Sequence, residues 1–186
     1  MSDDETPAEP SVPTARMLTW VRNSAAYRLA KQMMTEKQLS DAISRKARQK
    51  FDGISDEQVE ALAKAAVAFG LDLKALDDTA YAEIRTRSSA RAGKSRKAIA
   101  QALSRKGIDR EIVAQAVSDT DDLKAAIVYA RRRAFGPFRR VELDDRQKAK
   151  ELSAFARQGF SYDIGARVFR MDRKEADEML GSDAFS

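Results

Sequence analysis

One segment of this chain occurs twice, 60 residues apart. Thr35–Ala47 is TEKQLSDAISRKA and Ser95–Gly107 is SRKAIAQALSRKG. The copies share a lysine at the third position, a Ser-Arg-Lys near the end, and aliphatic residues at spacings of three and four. That spacing is typical of a helix with one buried face, and Thr or Ser at the first position is a preferred N-cap. The duplication therefore predicts a helical repeat protein.

Two further helices accompany each copy. In the first unit, Thr14 and Ser55 are N-cap candidates, Gln58 completes a capping box with Ser55, and Gly70 is a C-terminal stop signal. Trp20 lies near the apolar stripe of the first helix, where we expect it to anchor packing. The first unit thus contains three predicted helices.

The second and third units repeat this arrangement. Either residue of Asp77–Asp78 can cap the helix before Ser95, and Asp109 can cap the helix after it. A fainter copy lies at a constant offset of 52, where FARQGFSYDIGARVF (155–169) aligns with LSRKGIDREIVAQAV (103–117). The spacing therefore predicts a third unit.

The fold class that follows is all-α, an elongated tandem array of three three-helix repeats with a disordered acidic N-terminal tail. No segment alternates polar and apolar residues over the length of a strand. The expected boundaries are a tail at 1–14, repeats at 15–71, 72–118 and 119–171, and a short C-terminal helix and tail at 172–186.

Composition excludes several kinds of catalytic site. The 186 residues include no cysteine and no histidine, so zinc sites built from those residues, disulfides and histidine-assisted nucleophiles are excluded. Gly93-Lys94-Ser95 resembles the end of a phosphate-binding loop, but the required earlier glycine is replaced by Ser88 and no strand precedes it. We expect no enzyme, no metal and no cofactor.

Paired carboxylates occur three times, each where a helix is expected to begin. Helix capping explains such pairs without general acid/base catalysis or a metal. The pairs are Asp77–Asp78, Asp121–Asp122 and Asp144–Asp145.

Charge is distributed unevenly around a net value of +5. Residues 81–140 contain 15 lysines and arginines against six acidic residues. Such an excess favours an acidic or polyanionic partner. The candidate contact residues, for an acidic protein surface or for DNA phosphates, are Arg85, Arg87, Arg91, Lys94, Arg96, Lys97, Arg105, Lys106, Arg131, Arg132, Arg133, Arg139 and Arg140.

Phe135 and Phe138 stand between the last two groups of arginines. Interleaved aromatic rings can stack on bases, or they can fill the core between helices. We expect at least one of these rings to lie in the core.

The central unit, Ser95–Val113, resembles the RecX family, as does LDDTAYAE (76–83) leading into it and RQGFSYDIGARV (157–168) in the third unit. The resemblance covers roughly residues 15–170. It departs from the family at ARQKFD (47–52), where the first unit is longer than the usual Lys-Gly turn.

This resemblance implies a regulator that lies in the groove of the RecA filament on single-stranded DNA. Such proteins inhibit the ATPase, recombinase and co-protease activities of RecA, in homologous recombination, DNA repair and the SOS response. A weak direct contact with DNA, a monomeric state, a cytoplasmic location and no membrane contact are also expected. The alternative is a helical protein that binds nucleic acid without sequence preference and independently of RecA.

Overall fold

The computed structural model describes residues 12–181. Helices without strands make up the regular structure of this part of the chain, which confirms the all-α prediction. The elements are α1 (Ala15–Lys31), α2 (Glu36–Lys50), α3 (Asp56–Asp72), α4 (Asp78–Arg91), α5 (Arg96–Arg105), α6 (Arg110–Val117), α7 (Asp122–Arg133), a 3₁₀ turn η1 (Gly136–Phe138), α8 (Asp145–Arg157), α9 (Tyr162–Arg170) and α10 (Arg173–Gly181).

The described chain forms two compact units. The first unit of the structure contains residues up to Tyr81 together with Lys106–Ile108. The second unit contains Ala82–Arg105 together with the residues from Asp109 onwards, so these two units differ in their bounds from the predicted repeats. The grouping of the helices into three repeats stays a prediction. Most of the predicted acidic tail, residues 1–11, lies outside the described residues.

The first unit has a core of aliphatic side chains from α1, α2 and α3. Leu39, Ile43 and Leu62 are completely buried there. The ring of Trp20 meets Phe51 edge-on, with ring centroids 5.3 Å apart, which confirms Trp20 as a packing residue. Phe51 belongs to the extra ARQKFD segment. This insertion lengthens α2, and its Phe51 packs against Trp20.

The N-caps of the first unit follow the predicted chemistry. The hydroxyls of Thr14, Thr35 and Ser55 accept hydrogen bonds from amides in the first turns of α1, α2 and α3. Gly70 does not stop α3, which continues to Asp72. A Cβ at Gly70 would lie 2.7 Å from the side chain of Leu76, so this glycine permits close packing rather than ending the helix.

The core of the second unit contains an aromatic cluster. Phe155 lies at its centre, with ring centroids of Tyr129, Phe135 and Phe160 between 5.5 and 6.4 Å away. Phe135 and Phe138 are each 5% exposed, which confirms the prediction that at least one of these rings lies in the core and shows that both do. Neither ring therefore has a free face on which a base could stack.

A buried carboxylate fixes η1 to α8. Glu151 is completely buried and accepts two hydrogen bonds of 2.7 Å from Arg139, one from the Gly136 amide at 2.9 Å and one from Gln147 at 2.9 Å. Burial alone would raise the pKa of Glu151, but these hydrogen bonds and the charge of Arg139 together hold the pKa below its ordinary value. Because every donor points at an ionised carboxylate, this buried charge is well compensated.

Candidate partner-binding surface

The N-termini of α2 and α5 have the same environment, each within its own unit. The Thr35 hydroxyl donates a 2.7 Å hydrogen bond to the Lys106 carbonyl, and the Ser95 hydroxyl donates a 2.6 Å hydrogen bond to the Gln158 carbonyl. Both residues are completely buried. Each hydroxyl also accepts an amide hydrogen bond from its own helix, so the cap residue satisfies a donor and an acceptor together.

In two of the three carboxylate pairs, the two residues accept hydrogen bonds from different helices. Asp121 caps α7, while Asp122 accepts the amide of Arg96 at 2.6 Å. Asp77 likewise accepts the amide of Ala80 in α4, while Asp78 accepts the amide of Glu36 at 3.1 Å. Burial raises the pKa of Asp78, and the nearby charge of Asp77 adds to that rise, whereas the hydrogen bond from Glu36 opposes it.

The third pair is simpler. Asp144 caps α8 by accepting the amide of Gln147 at 2.6 Å, and Asp145 is the first residue of the helix. The carboxylate pairs thus serve helix termini, as the sequence predicted. No group of three or more potential metal-ligating side chains occurs among residues 12–181.

Several predicted contact residues have intramolecular partners. The Arg96 guanidinium donates to the Thr120 carbonyl at 2.9 Å, and the Arg132 guanidinium donates to the Ala92 carbonyl at 2.7 Å. Arg139 uses two donors on Glu151 and is only 15% exposed in its side chain. These three guanidiniums are therefore partly or wholly committed to the fold.

Two more candidates make weaker contacts, and a third is also engaged. Arg87 lies 3.6 Å from Glu83 in an exposed ion pair, and Arg133 lies over the ring of Phe135 at 5.8 Å. Arg85 is exposed but also interacts within the protein. Exposed ion pairs contribute little to stability, so Arg87 can exchange Glu83 for another partner at low cost.

The remaining candidates are exposed, and their side chains form no hydrogen bond or ion pair within the described part of the chain. They are Arg91, Lys94, Lys97, Arg105, Lys106, Arg131 and Arg140.

The outward face of α5 concentrates this free charge in the second unit. Lys97, Gln101 and Arg105 are exposed at intervals of four, so they form one stripe opposite the buried Ile99 and Leu103. Lys94 precedes the same helix and is also exposed.

A small cleft lies beside this stripe. It has a volume of about 220 Å³, and its lining includes Lys97, Gln101 and Arg157. Arg157 aligns with Arg105 at the offset of 52 but is not among the predicted contact residues. Its place in the fold adds a cation at the edge of the α5 stripe.

Comparison with known proteins agrees with this architecture. Residues 77–117 match the family described as RecX, second three-helix domain. Over 172 residues the chain is 59% identical to the regulatory protein RecX of Agrobacterium fabrum, which covers 92% of this chain and 93% of the relative. The chain belongs to the RecX family. The regulatory protein RecX of Myxococcus xanthus is 33% identical over 81% of this chain and 84% of its own.

Two solved RecX structures share the fold. The crystal structure of RecX from Lactobacillus salivarius aligns with a TM-score of 0.65 and 23% identity, covering 89% of this chain and 99% of that one. A second structure, of a regulatory protein RecX, aligns with a TM-score of 0.62 and 20% identity, covering 83% and 72%. Within residues 12–181 of this RecX-family chain, no helix is both long and apolar enough to cross a bilayer.

Proposed function

We propose that this protein is a cytoplasmic regulator that binds the RecA filament on single-stranded DNA and inhibits its ATPase, recombinase and co-protease activities. The observation that supports the proposal most strongly is the 59% identity to a regulatory protein RecX across nearly the whole of both chains. The protein acts by binding and not by catalysis, as a monomer and without a cofactor.

The proposed contact surface consists of the α5 stripe and Lys94, which precedes the helix. Lys94, Lys97 and Arg105 present their charges to solvent without intramolecular partners in the described chain. Unpaired cations can meet acidic side chains or phosphates without first breaking internal bonds, so they raise both the rate and the specificity of association. Arg139 is omitted from this surface because Glu151 occupies its donors.

The test is RecA ATPase activity on single-stranded DNA with increasing amounts of the protein. Inhibition at substoichiometric or equimolar ratios to RecA supports the proposal, whereas unchanged ATP hydrolysis at saturating protein contradicts it.

Binding to naked DNA separates the alternative function. A salt titration reports the phosphate contacts, because each one makes affinity fall with ionic strength. The proposal predicts weak binding at physiological salt that RecA strengthens. Tight binding that persists there without RecA, and that RecA does not change, supports the RecA-independent alternative instead.

A further inference from the structure

A cavity in the first unit is lined by cations from two helices. It has a volume of about 390 Å³, and its walls include Tyr27, Arg28 and Lys31 from α1 and Arg45 from α2. No aspartate or glutamate is among the described residues that line it. We propose that this cavity binds a phosphate group of a nucleotide unit, with Arg28, Lys31 and Arg45 around the phosphate and Tyr27 beside the base.

The buried guanidinium nitrogen of Arg28 indicates a ligand that accepts hydrogen bonds. Its Nε is buried and has no hydrogen-bond partner within the described chain. Arginine stays protonated in proteins, so a buried donor of this kind loses water and gains nothing in return. Phosphate oxygens would supply the missing acceptor in a charge-assisted hydrogen bond.

The helix dipole explains the positions of only two of these three cations. Arg28 and Lys31 lie in the last turn of α1, where cations complement the free carbonyls of a helix C-terminus. Arg45 lies well inside α2, ten residues beyond its N-cap Thr35, where that argument does not apply. The convergence of Arg45 on the same cavity therefore needs another reason, and an anion provides one.

One cavity residue, Arg28, does not recur in the second copy of the sequence, whereas Tyr27, Lys31 and Arg45 correspond to Tyr81, Arg85 and Arg105. At the offset of 54 that aligns Tyr27 with Tyr81, Arg28 corresponds to Ala82, which is completely buried. Tyr27 is 59% exposed, whereas Tyr81 is 3% exposed. Residues needed for folding recur between the copies, as Thr35 and Ser95 do. Arg28 is confined to one copy, so its position in the cavity is better explained by binding than by folding.

The size of the cavity and its exposed aromatic ring favour a nucleotide over an acidic side chain. The volume lies within the range of small-molecule sites and exceeds what one carboxylate fills. The Lys31 ammonium lies 4.3 Å from the centroid of the Tyr27 ring, which keeps the ring beside the cations while much of it stays exposed. Exposed aromatic rings next to cations are typical of sites for single-stranded nucleic acid.

The site is independent of RecA and of the α5 stripe. Its phosphate can come from the 5′ monoester of a mononucleotide or strand end, or from an internal phosphodiester. Both sources offer non-bridging phosphate oxygens to Arg28 and Arg45, three from a monoester and two from a diester, so they are distinguished by experiment.

The experiment measures fluorescence anisotropy of a 3′-labelled oligothymidylate of about 20 nucleotides, without RecA. We expect Arg28→Gln/Arg45→Gln to weaken binding about tenfold, because two charge-assisted contacts are lost. The control Arg16→Gln/Arg22→Gln removes the same charge from exposed positions of α1 and should change the affinity less than about twofold. Tyr27→Leu should also weaken binding.

Competition and end chemistry identify the source of the phosphate. Competition by thymidine monophosphate, or tighter binding of a 5′-phosphorylated strand, assigns a monoester, and equal binding of both strands assigns the phosphodiester. Equal affinity of the paired variant and its control overturns the proposal, as does equally effective competition by polyglutamate. If the double variant does not fold, as judged by circular dichroism, Arg45→Gln alone and the control Arg22→Gln give the same comparison.

Discussion

The Oγ of Ser95 lies 2.6 Å from the carbonyl oxygen of Gln158 while it accepts a hydrogen bond from the amide of Ala98 at 3.1 Å. Thr35 has an equivalent pair of partners in the first unit, the carbonyl of Lys106 and the amide of Gln38. Segments duplicated in the sequence thus have the same role at both helix N-termini. What looks like a repeated basic motif is, at its first residue, a buried structural contact.

Loss of the Ser95 hydroxyl should destabilise the protein. Ser95→Ala removes the cap of α5 and leaves the Gln158 carbonyl without its donor, so we expect the free energy of unfolding to fall by about 2 kcal/mol. Urea denaturation followed by circular dichroism measures this change. Ser104→Ala, at an exposed position of the same helix, is the control and should have little effect. Equal stability of the two variants would contradict the role of Ser95.

The buried Glu151 should make stability depend on pH. Because its pKa in the folded protein lies below the ordinary value of 4.5, its contribution is present above that pH and is lost as the pH falls through the lower folded value. Glu151→Gln should cost about 3 kcal/mol at pH 7, since it leaves the charge of Arg139 without its partner.

Urea unfolding midpoints measured between neutral and acidic pH check this prediction. We expect the difference between the wild type and Glu151→Gln to shrink as the pH falls below the ordinary carboxyl range. A constant difference across the whole pH range would show that ionisation of Glu151 does not stabilise the fold.

Gly136 should tolerate no side chain. Its φ is +51°, and a Cβ there would lie 2.7 Å from the carbonyl oxygen of Val168. Gly53 also has a positive φ, +67°, but a Cβ there would have no neighbour within 4 Å. Gly53→Ala should therefore cost about 1 kcal/mol of backbone strain, and Gly136→Ala should cost at least about 2 kcal/mol more. Thermal unfolding of both variants tests this order, and equal melting temperatures would refute it.

Local chemistry in the sequence predicted the helices and most of their caps. Thr14, Thr35, Ser55 and Asp109 could be assigned because a cap bonds to amides two or three residues away. The roles of Asp78 and Asp122 could not be assigned, because their partners lie 42 and 26 residues away and depend on tertiary packing.

The basic residues show the same limit. The sequence shows how many cationic residues the segment contains, but it does not show which of them form bonds within the fold. Arg139 and Lys97 could therefore not be distinguished. Glu151, the partner of Arg139, gave no local signal because it lies on α8 among other charged residues. Arg28 and Arg45 were likewise missed, since they lie outside the basic segment 81–140 and converge only when α1 packs on α2.

The most direct test of the account is RecA ATPase inhibition by Lys94→Glu/Lys97→Glu/Arg105→Glu beside the control Arg146→Glu/Lys148→Glu/Lys150→Glu. Both variants change the net charge equally, and the control residues are exposed on α8. We predict that the first variant needs at least about tenfold more protein for half-inhibition, since three reversed charges oppose association. The control should inhibit like the wild type. Equal inhibition by both variants, each folded as judged by circular dichroism, would contradict the assignment of α5 as the surface that binds RecA.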